Sequence, residues 1–186
     1  MAISTADFKN GMCINIDGKA SLIIDFQHVK PGKGGAFVRT KVRDIHTGRV
    51  NELTFRAGEK FDEIIMETKE MQYLYNDGQD YWFMDTVSYE QLPINGDIIG
   101  ENTKWLKEND ICLIQYAGDE MIGVQPPMFV ELQVTETDPS FKGDTVQGAT
   151  KPAKLETGAT IQVPMFVDNG DVVKIDTRDG RYITRV

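Results

Sequence analysis

Hydrophobic and polar residues alternate along most of the chain, and glycine, proline and Asn-Asp pairs interrupt the alternation at short intervals. A period of two residues is the pattern of a β-strand with one buried face. Many short strands at a spacing of about 8–12 residues are typical of barrels and sandwiches. We therefore predict an all-β fold. The predicted strands are 20–26, 36–42, 52–55, 71–75, 81–84, 111–115, 130–134, 160–163, 171–175 and 182–184.

Helix signals are confined to single turns. Ser4 and Asp7 have the spacing that caps one turn before Gly11, and Ser88 with Gln91 has the spacing of a capping box. The segment 102–107 is long enough for one or two further turns. None of these helices is long enough to organise a domain.

Two interruptions divide the chain into three pieces of about 60 residues. The segment 57–61 closes the first piece, and Pro126 with Pro127 breaks any continuous sheet before the last. Pieces of this size fold as small barrels, because they bury only about 60% of their unfolded surface. We predict domains at 1–64, 65–127 and 128–186.

The formal net charge of −9 is distributed unevenly over these domains. The first domain carries ten Lys and Arg against eight Asp and Glu, the second three against twelve, and the third seven against nine. From Phe26 to Arg43 there is no acidic residue. This asymmetry indicates that the three domains face different partners.

Composition excludes several classes of protein. No apolar run is long enough to span a bilayer, and the first ten residues lack the apolar segment of a signal peptide, so we expect a cytoplasmic protein. Cys13 and Cys112 have neither CxxC spacing nor a histidine cluster nearby, which favours two buried free thiols over a disulfide or a metal site. We expect no metal and no cofactor.

The segment 28–37, HVKPGKGGAF, predicts a hairpin with a lysine at its tip. Pro31 and Gly32 suit the centre of a type II turn, and Lys33 follows with Gly34 and Gly35 beside it. The strand after the tip alternates, with apolar or small residues on one face and cations on the other. A solvated edge strand would look similar, but the lack of acids along this hairpin favours contact with a polyanion. The cations of the exposed face are Arg39, Lys41 and Arg43.

Known phosphate-binding and catalytic patterns do not fit the hairpin. Lys33 is followed by glycine rather than Ser or Thr, Gln27 stands where a P-loop needs its first glycine, and Phe37 stands at the third glycine of G-x-G-x-x-G. A catalytic lysine needs burial or a neighbouring cation to lower its pKa. We therefore predict a binding protein rather than an enzyme.

The chain resembles the bacterial elongation factor P family over essentially its whole length, and two segments carry the most specific part of the resemblance. The tip at 28–37 is similar to that family's modified-lysine loop. Residues 151–170 match its signature K-x-A-x4-G-x2-[LIV]-x-V-P-x2-[LIV]-x2-G at every fixed position. The resemblance implies an SH3-like (KOW-like) barrel followed by two OB-folds in an elongated, tRNA-like arrangement.

The resemblance also implies a function and its residues. Such a factor binds both ribosomal subunits beside the peptidyl-tRNA, stimulates peptide-bond formation and relieves stalling at consecutive prolines. Lys33, extended by a modifying enzyme, reaches the CCA end of the peptidyl-tRNA. The implied supporting residues are Lys30, Pro31, Gly32, Gly34 and Gly35 for the tip, Arg39, Lys41 and Arg43 for tRNA or ribosomal RNA phosphates, Gly143, Asp144 and Thr145 for messenger RNA in the exit site, and Tyr182 and Arg185 for a C-terminal contact with tRNA or the small subunit.

Other interpretations stay open at this stage. A general single-stranded nucleic-acid-binding OB-fold protein is the alternative, although such proteins interleave aromatics with cations. Here the aromatics fall in the acidic domain, where we expect them in the core. The acidic residues of the second domain suit contact with either solvent or a basic ribosomal protein. We expect the protein to be a monomer. The aromatics are Tyr73, Tyr75, Tyr81, Trp82 and Phe83.

Overall fold

The computed structural model describes residues 1–139 and 148–186 and shows an all-β fold of three antiparallel sheets. The predicted fold class is therefore confirmed. By internal contacts the chain forms two compact units. One unit contains Met1–Thr68 with Gln115–Ile122, and the other contains Lys69–Ile114 with Gly123–Val186.

The first sheet has six strands in the order β1-β6-β2-β3-β4-β5. Its apolar faces close over a core in which Phe8 lies edge-on to Phe26 and Phe55. A single 3-10 turn, Thr5–Asp7, confirms the capped turn that the sequence predicted, and its cap is a capping box in which the Ser4 N–H donates to Asp7. The strands are β1 (Ala2–Ser4), β2 (Cys13–Ile16), β3 (Lys19–Val29), β4 (Phe37–Asp44), β5 (Val50–Arg56) and β6 (Lys60–Ile64).

The second sheet has five strands in the order β11-β10-β7-β8-β9. Buried aromatic and aliphatic residues fill its inner face, and a short helix, α1 (Gly96–Ile99), leads into a 3-10 helix, Gly100–Trp105. The strands are β7 (Met66–Asn76), β8 (Asp80–Asp85), β9 (Gln91–Asn95), β10 (Ile111–Ala117) and β11 (Glu120–Gln125).

The third sheet also has five strands, in the order β14-β13-β12-β15-β16, and it curls into a nearly closed barrel. Strand β13 contains the start of the signature segment, and its Lys151 is buried with the ammonium donating to the Asp138 carbonyl. The strands are β12 (Phe129–Thr137), β13 (Thr150–Leu155), β14 (Thr160–Pro164), β15 (Val172–Asp176) and β16 (Arg181–Arg185).

Trp105, at the end of the 3-10 helix, belongs to the core of the third sheet rather than the second. It is 3% exposed and packs with Leu132, Ile161 and Val163. The Thr157 hydroxyl donates to the Lys104 carbonyl, which fixes the turn beside it. The sequence pattern gave no sign of this contact, because a tryptophan in a one-turn helix has no period that shows which neighbour it faces.

Two local predictions in the region of the second sheet were wrong. Ser88 and Gln91 form no capping box. Instead, Gln91 begins β9. The Asp85 carboxylate accepts hydrogen bonds from the N–H groups of Val87 and Ser88, and these bonds form a turn. An aspartate at the start of a turn competes well for these backbone donors.

Tyr75 was predicted in the core and lies on the surface, 44% exposed and stacked on Trp82 with ring centroids 6.1 Å apart. The cause is a β-bulge between Tyr73 and Tyr75, which adds one residue to β7 and turns Tyr75 to the opposite face. Tyr73 and Phe83, which pair with each other just before the bulge, are buried as expected.

Both cysteines are free and buried, as the sequence predicted. Burial raises the pKa of the Cys13 thiol, and it raises the pKa of Cys112 to about 12. Within 1–139 and 148–186, no helix has the length and apolar character needed to cross a membrane. The same residues contain no group of three or more His, Cys, Asp or Glu placed to hold a metal ion.

Candidate functional site

The β3–β4 connection holds Lys33 in solvent. Val29 and Phe37 form the last pair of the hairpin, and residues 30–35 beyond them are all exposed. Among the described residues, no side chain forms a hydrogen bond or ion pair with Lys33. The lysine is therefore available for another molecule.

The turn that carries Lys33 differs from the predicted one. Gly34, with φ of 99°, adopts the left-handed backbone conformation, and Gly32 does not, so Pro31 and Gly32 do not form a type II turn. The reversal is spread over the seven residues between Val29 and Phe37, and the left-handed residue falls in its second half. No atom lies within 4 Å of a Cβ built on Gly32, Gly34 or Gly35, so the tip is slender.

The base of the hairpin is well fixed. Strands β3 and β4 pair over most of their length, and β4 pairs with β5 from Phe37 to Arg43. The Ala57 N–H donates to the Ala36 carbonyl at 3.0 Å, immediately below the tip. The guanidinium carbon of Arg39 lies 5.8 Å from the centroid of the Phe37 ring, a cation–π distance.

Alternation along β4 is as the sequence predicted. Val38, Thr40 and Val42 are buried, and Arg39, Lys41 and Arg43 are exposed. The three cations nevertheless have different neighbours. Their cross-strand partners are Gln27 and Thr54 for Arg39, Asp25 and Glu52 for Lys41, and Leu22 and Val50 for Arg43.

Lys41 is therefore flanked by a carboxylate on each side, and the other two cations are not. Opposite charges directly across a sheet attract each other by roughly 0.2–1 kcal/mol. The run from Phe26 to Arg43 contains no acid, but the sheet supplies acids from β3 and β5. We infer that Arg39 and Arg43 carry more of the uncompensated positive charge of this face than Lys41 does.

Tyr182 and Arg185 share a face of β16 although they are three residues apart. A bulge opposite Lys174 and Ile175 adds one residue, so Tyr182 pairs with Ile175 and Arg185 pairs with Val173. Directly paired residues project from the same side of a sheet. The bulge therefore brings together two side chains that simple alternation would place on opposite faces.

The surroundings of the two residues differ. An Arg185 Nη1 lies 3.3 Å from Asp171 Oδ2, and its guanidinium carbon lies 5.2 Å from the centroid of the exposed Phe166 ring. The Asp168 N–H and then Arg185 lower the pKa of the Asp171 carboxyl. Tyr182 instead packs against the barrel core beside Trp105. Gly143, Asp144 and Thr145, the predicted messenger RNA loop, lie outside the described residues.

The fold and the tip define a class of all-β proteins built from small barrels, one of which holds a lysine in solvent. Three domain-family models match consecutive parts of the chain. They are described as the KOW-like domain of elongation factor P over 4–61, the elongation factor P OB domain over 66–124, and the elongation factor P C-terminal domain over 130–185.

Whole-chain relatives agree with these matches. Proteins called elongation factor P from Acetivibrio thermocellus and Finegoldia magna are each 54% identical over 184 residues, which is 99% of this chain and 100% of theirs. The elongation factor P of a Thermoanaerobacter species is 52% identical over the same shares. The chain belongs to the elongation factor P family. It is thus a translation elongation factor, which implies the ribosome as its partner, and its relatives are named as translation factors rather than enzymes.

Two solved structures are similar to about two thirds of this chain. A translation initiation factor 5A from Methanococcus jannaschii is 25% identical, with a TM-score of 0.53 over 67% of this chain and 95% of its own. A protein of the same factor family from Naegleria fowleri is 16% identical, with a TM-score of 0.56 over 67% of this chain and 97% of its own. The second likeness concerns the fold alone.

Proposed function

We propose that this protein binds the ribosome beside the peptidyl-tRNA and speeds peptide-bond formation when consecutive prolines stall it. Lys33 is the residue that acts, by reaching the CCA end of the peptidyl-tRNA. The observation that carries the proposal is the tip itself, a single exposed lysine on a slender loop above a firmly paired hairpin. Family membership supports the ribosome as the setting.

The proposed mechanism is positioning, and the ribosome supplies the chemistry. Proline reacts poorly because its ring fixes φ and limits the arrangements of the nascent chain. Holding reacting groups in an attack-ready geometry lowers the entropic part of the barrier, by up to about 7–11 kcal/mol in favourable cases. A cationic arm along the RNA of the CCA end needs only a small part of this to relieve a stall.

Exposure also suits Lys33 to covalent extension. A modifying enzyme needs access to the amine and to the backbone around it, and residues 30–35 are all exposed. Extension lengthens the arm and keeps its cation within reach of RNA. Lysyl-type and aminopentanol-type groups both fit this role, and so does an unmodified lysine.

The rest of the chain holds the tip in place. We propose domains at 1–64, 65–127 and 128–186, with Arg39 and Arg43 on RNA phosphates and Lys41 contributing less. Arg185, aligned by Asp171 and Phe166, suits a phosphate of tRNA or the small subunit. The acidic middle domain suits a basic ribosomal protein, the 143–145 loop suits messenger RNA, and the factor acts as a monomer in the cytoplasm.

A translation assay with a Pro-Pro-Pro reporter tests the proposal. Lys33→Ala removes the stall relief but leaves the fold intact, because an exposed side chain without internal partners contributes within about 0.5 kcal/mol to stability. Lys19→Ala is the matched control, since Lys19 is an exposed lysine at the other end of the same strand, β3. Full activity of the Lys33→Ala protein would refute the proposal.

A further inference from the structure

The third sheet has an open seam between its two edge strands, β14 and β16. Their Cα atoms approach within 8 Å, but no ladder of hydrogen bonds joins them in the described part of the chain. A cavity of about 530 Å³ lies along this seam. Its lining residues include Lys104, Trp105, Thr160, Gln162, Arg181 and Tyr182.

One wall of the cavity is rigid. Gly180 packs against the buried Trp105, where a Cβ would lie 3.3 Å from the indole ring. The turn that leads into Gly180 is fixed by Arg178, whose guanidinium donates two hydrogen bonds to the buried Asp176 carboxylate. The Thr177 hydroxyl donates to the Pro127 carbonyl at 2.7 Å. The positions of the lining residues Arg181 and Tyr182 follow from this turn.

The charge of the lining favours an anion. The lining residues include two cations, Lys104 and Arg181, and one carboxylate, Asp179, which lies 3.9 Å from the Arg181 guanidinium. The acidic middle third of the chain has only three lysines and arginines, and Lys104 is one of them. Its ammonium lies 5.2 Å from the centroid of the Trp105 ring and 3.6 Å from the carboxylate of Glu101, a highly exposed side chain outside the cavity lining.

Neutral groups beside these cations suit a base. Tyr182 offers a half-buried ring, and Gln162 and Thr160 offer exposed amide and hydroxyl groups on β14. The Gln162 carbonyl oxygen accepts from the Thr150 hydroxyl at 3.2 Å, which orients the amide. An aromatic platform with nearby cations is the combination that binds unstacked nucleotides.

We propose that this seam, formed by Lys104, Gln162, Arg181 and Tyr182, binds one nucleotide of single-stranded RNA. The base stacks on Tyr182, Gln162 contacts its edge, and Arg181 with Lys104 contacts the flanking phosphates. The cavity is of a size that holds one small ligand and not a duplex. An extended peptide fits less well, because an added strand needs about 4.8 Å on each side and the edges are too close.

The inference rests on the proposed ribosomal role only in that the ribosome supplies single-stranded RNA. The inference gives different roles to Tyr182 and Arg185, the two residues of the predicted C-terminal contact. Tyr182 belongs to the seam, and Arg185 belongs to a separate contact with Asp171 and Phe166.

Binding of the full-length protein to a dye-labelled uridine hexamer at low salt tests the seam. Tyr182→Leu keeps an apolar group on the core but removes the ring, and we expect affinity to fall about tenfold. Tyr182→Phe keeps the ring and restores binding. Arg181→Gln lowers the log–log salt slope by about 0.7. Lys174→Gln is the matched control, because Lys174 lies over Phe129 on the same barrel and outside the cavity.

Equal affinities for the parent, Tyr182→Leu and Arg181→Gln proteins would overturn the inference, as would an equal loss in the Lys174→Gln control. Preference for an extended peptide or for duplex RNA would also overturn it. The Pro-Pro-Pro reporter separates this failure from that of the proposed function. Should Lys33→Ala abolish stall relief while the seam variants keep both relief and RNA affinity, the proposed function stands and the seam site falls.

Discussion

Two hairpin connections of this molecule, β3–β4 and β15–β16, are built in opposite ways. Both contain a glycine in the left-handed conformation, Gly34 with φ of 99° and Gly180 with φ of 71°. Around Gly180, the side chains of Asp176, Thr177 and Arg178 all bond within the chain. Around Gly34, the described residues show no such bond, and every side chain from Lys30 to Gly35 is exposed.

The difference separates a turn whose side chains bond within their own barrel from a turn whose exposed lysine we propose contacts another molecule. Internal hydrogen bonds stabilise a loop, but they also occupy the groups that form them. Lys33 keeps its amine free because its neighbours are glycines and a proline, which have no side-chain donor or acceptor. The tip is positioned by the paired strands β3 and β4 at its base.

Replacing Gly34 or Gly180 with alanine should give the largest difference in stability between the two turns. Both Gly34→Ala and Gly180→Ala place a Cβ in the left-handed region, at a cost of about 1–2 kcal/mol. Only Gly180→Ala also pushes a carbon against Trp105, so we expect it to cost about 1–3 kcal/mol more. Urea unfolding of both variants measures the difference, and an equal loss of stability would contradict the contrast.

Acid is expected to weaken the β15–β16 turn selectively. Hydrogen bonds from Arg178, first from its side chain and then from its backbone N–H, lower the pKa of Asp176 to about 2. A lowered folded-state pKa stabilises the fold fully above the unfolded value of about 3.9, and this stabilisation is lost as the pH falls towards 2.

Thermal unfolding between pH 5 and pH 2 measures this effect. Asp176→Asn, which cannot ionise, should show a flatter pH dependence than the parent protein. Asp97→Asn on the exposed surface is the control and should leave the profile unchanged. A profile for Asp176→Asn as steep as the parent's would show that the Arg178 contact does not act as described.

The smallest expected effects concern the cations of β4. Removing one phosphate contact reduces the log–log salt slope of binding by about 0.7–0.9. We expect Arg39→Gln and Arg43→Gln to approach this value and Lys41→Gln to change the slope by less, because Asp25 and Glu52 flank Lys41. Phosphate contacts by all five cations of the hairpin would give a log–log salt slope of about −4, and the carboxylates beside Lys41 favour a shallower slope. The five cations are Lys30, Lys33, Arg39, Lys41 and Arg43.

Glu52→Gln sharpens the same test. It removes one of the two carboxylates beside Lys41, so affinity for ribosomes should rise a few-fold at low salt and the slope should become steeper. Asp62→Asn is the control, since Asp62 is exposed on β6 of the same sheet, and β6 pairs with β1 and β2 rather than with β4. Equal slopes for Lys41→Gln and Arg39→Gln would contradict the cross-strand explanation.

Simple alternation predicted the faces of β4 correctly, because that strand pairs with β5 without interruption. It failed at Tyr75, because a bulge in β7 adds a residue that leaves no mark in the pattern. The bulge in β16 acts in the other direction and brings Tyr182 and Arg185 to one face. Sequence periodicity reports faces only between such irregularities.

The sequence also predicted the wrong neighbours for the charges of β4, because it does not show which residues lie across the sheet. The run from Phe26 to Arg43 is free of acids, but Lys41 meets Asp25 and Glu52 across the sheet. Pairing register, which a single chain does not reveal, decides which charges are neighbours. Trp105 is a similar case, since its packing partners are residues of the C-terminal barrel, far away in sequence.

The position of Lys33 on the ribosome tests the central claim most directly. Cys13 and Cys112 are buried, with pKa values raised by burial, so Lys33→Cys introduces the one exposed thiol of the described chain. An iron chelate on that thiol should cleave the CCA end of a peptidyl-tRNA in ribosomes stalled at prolines. Cleavage confined to other RNA, or equal to that from Lys19→Cys, would contradict the account.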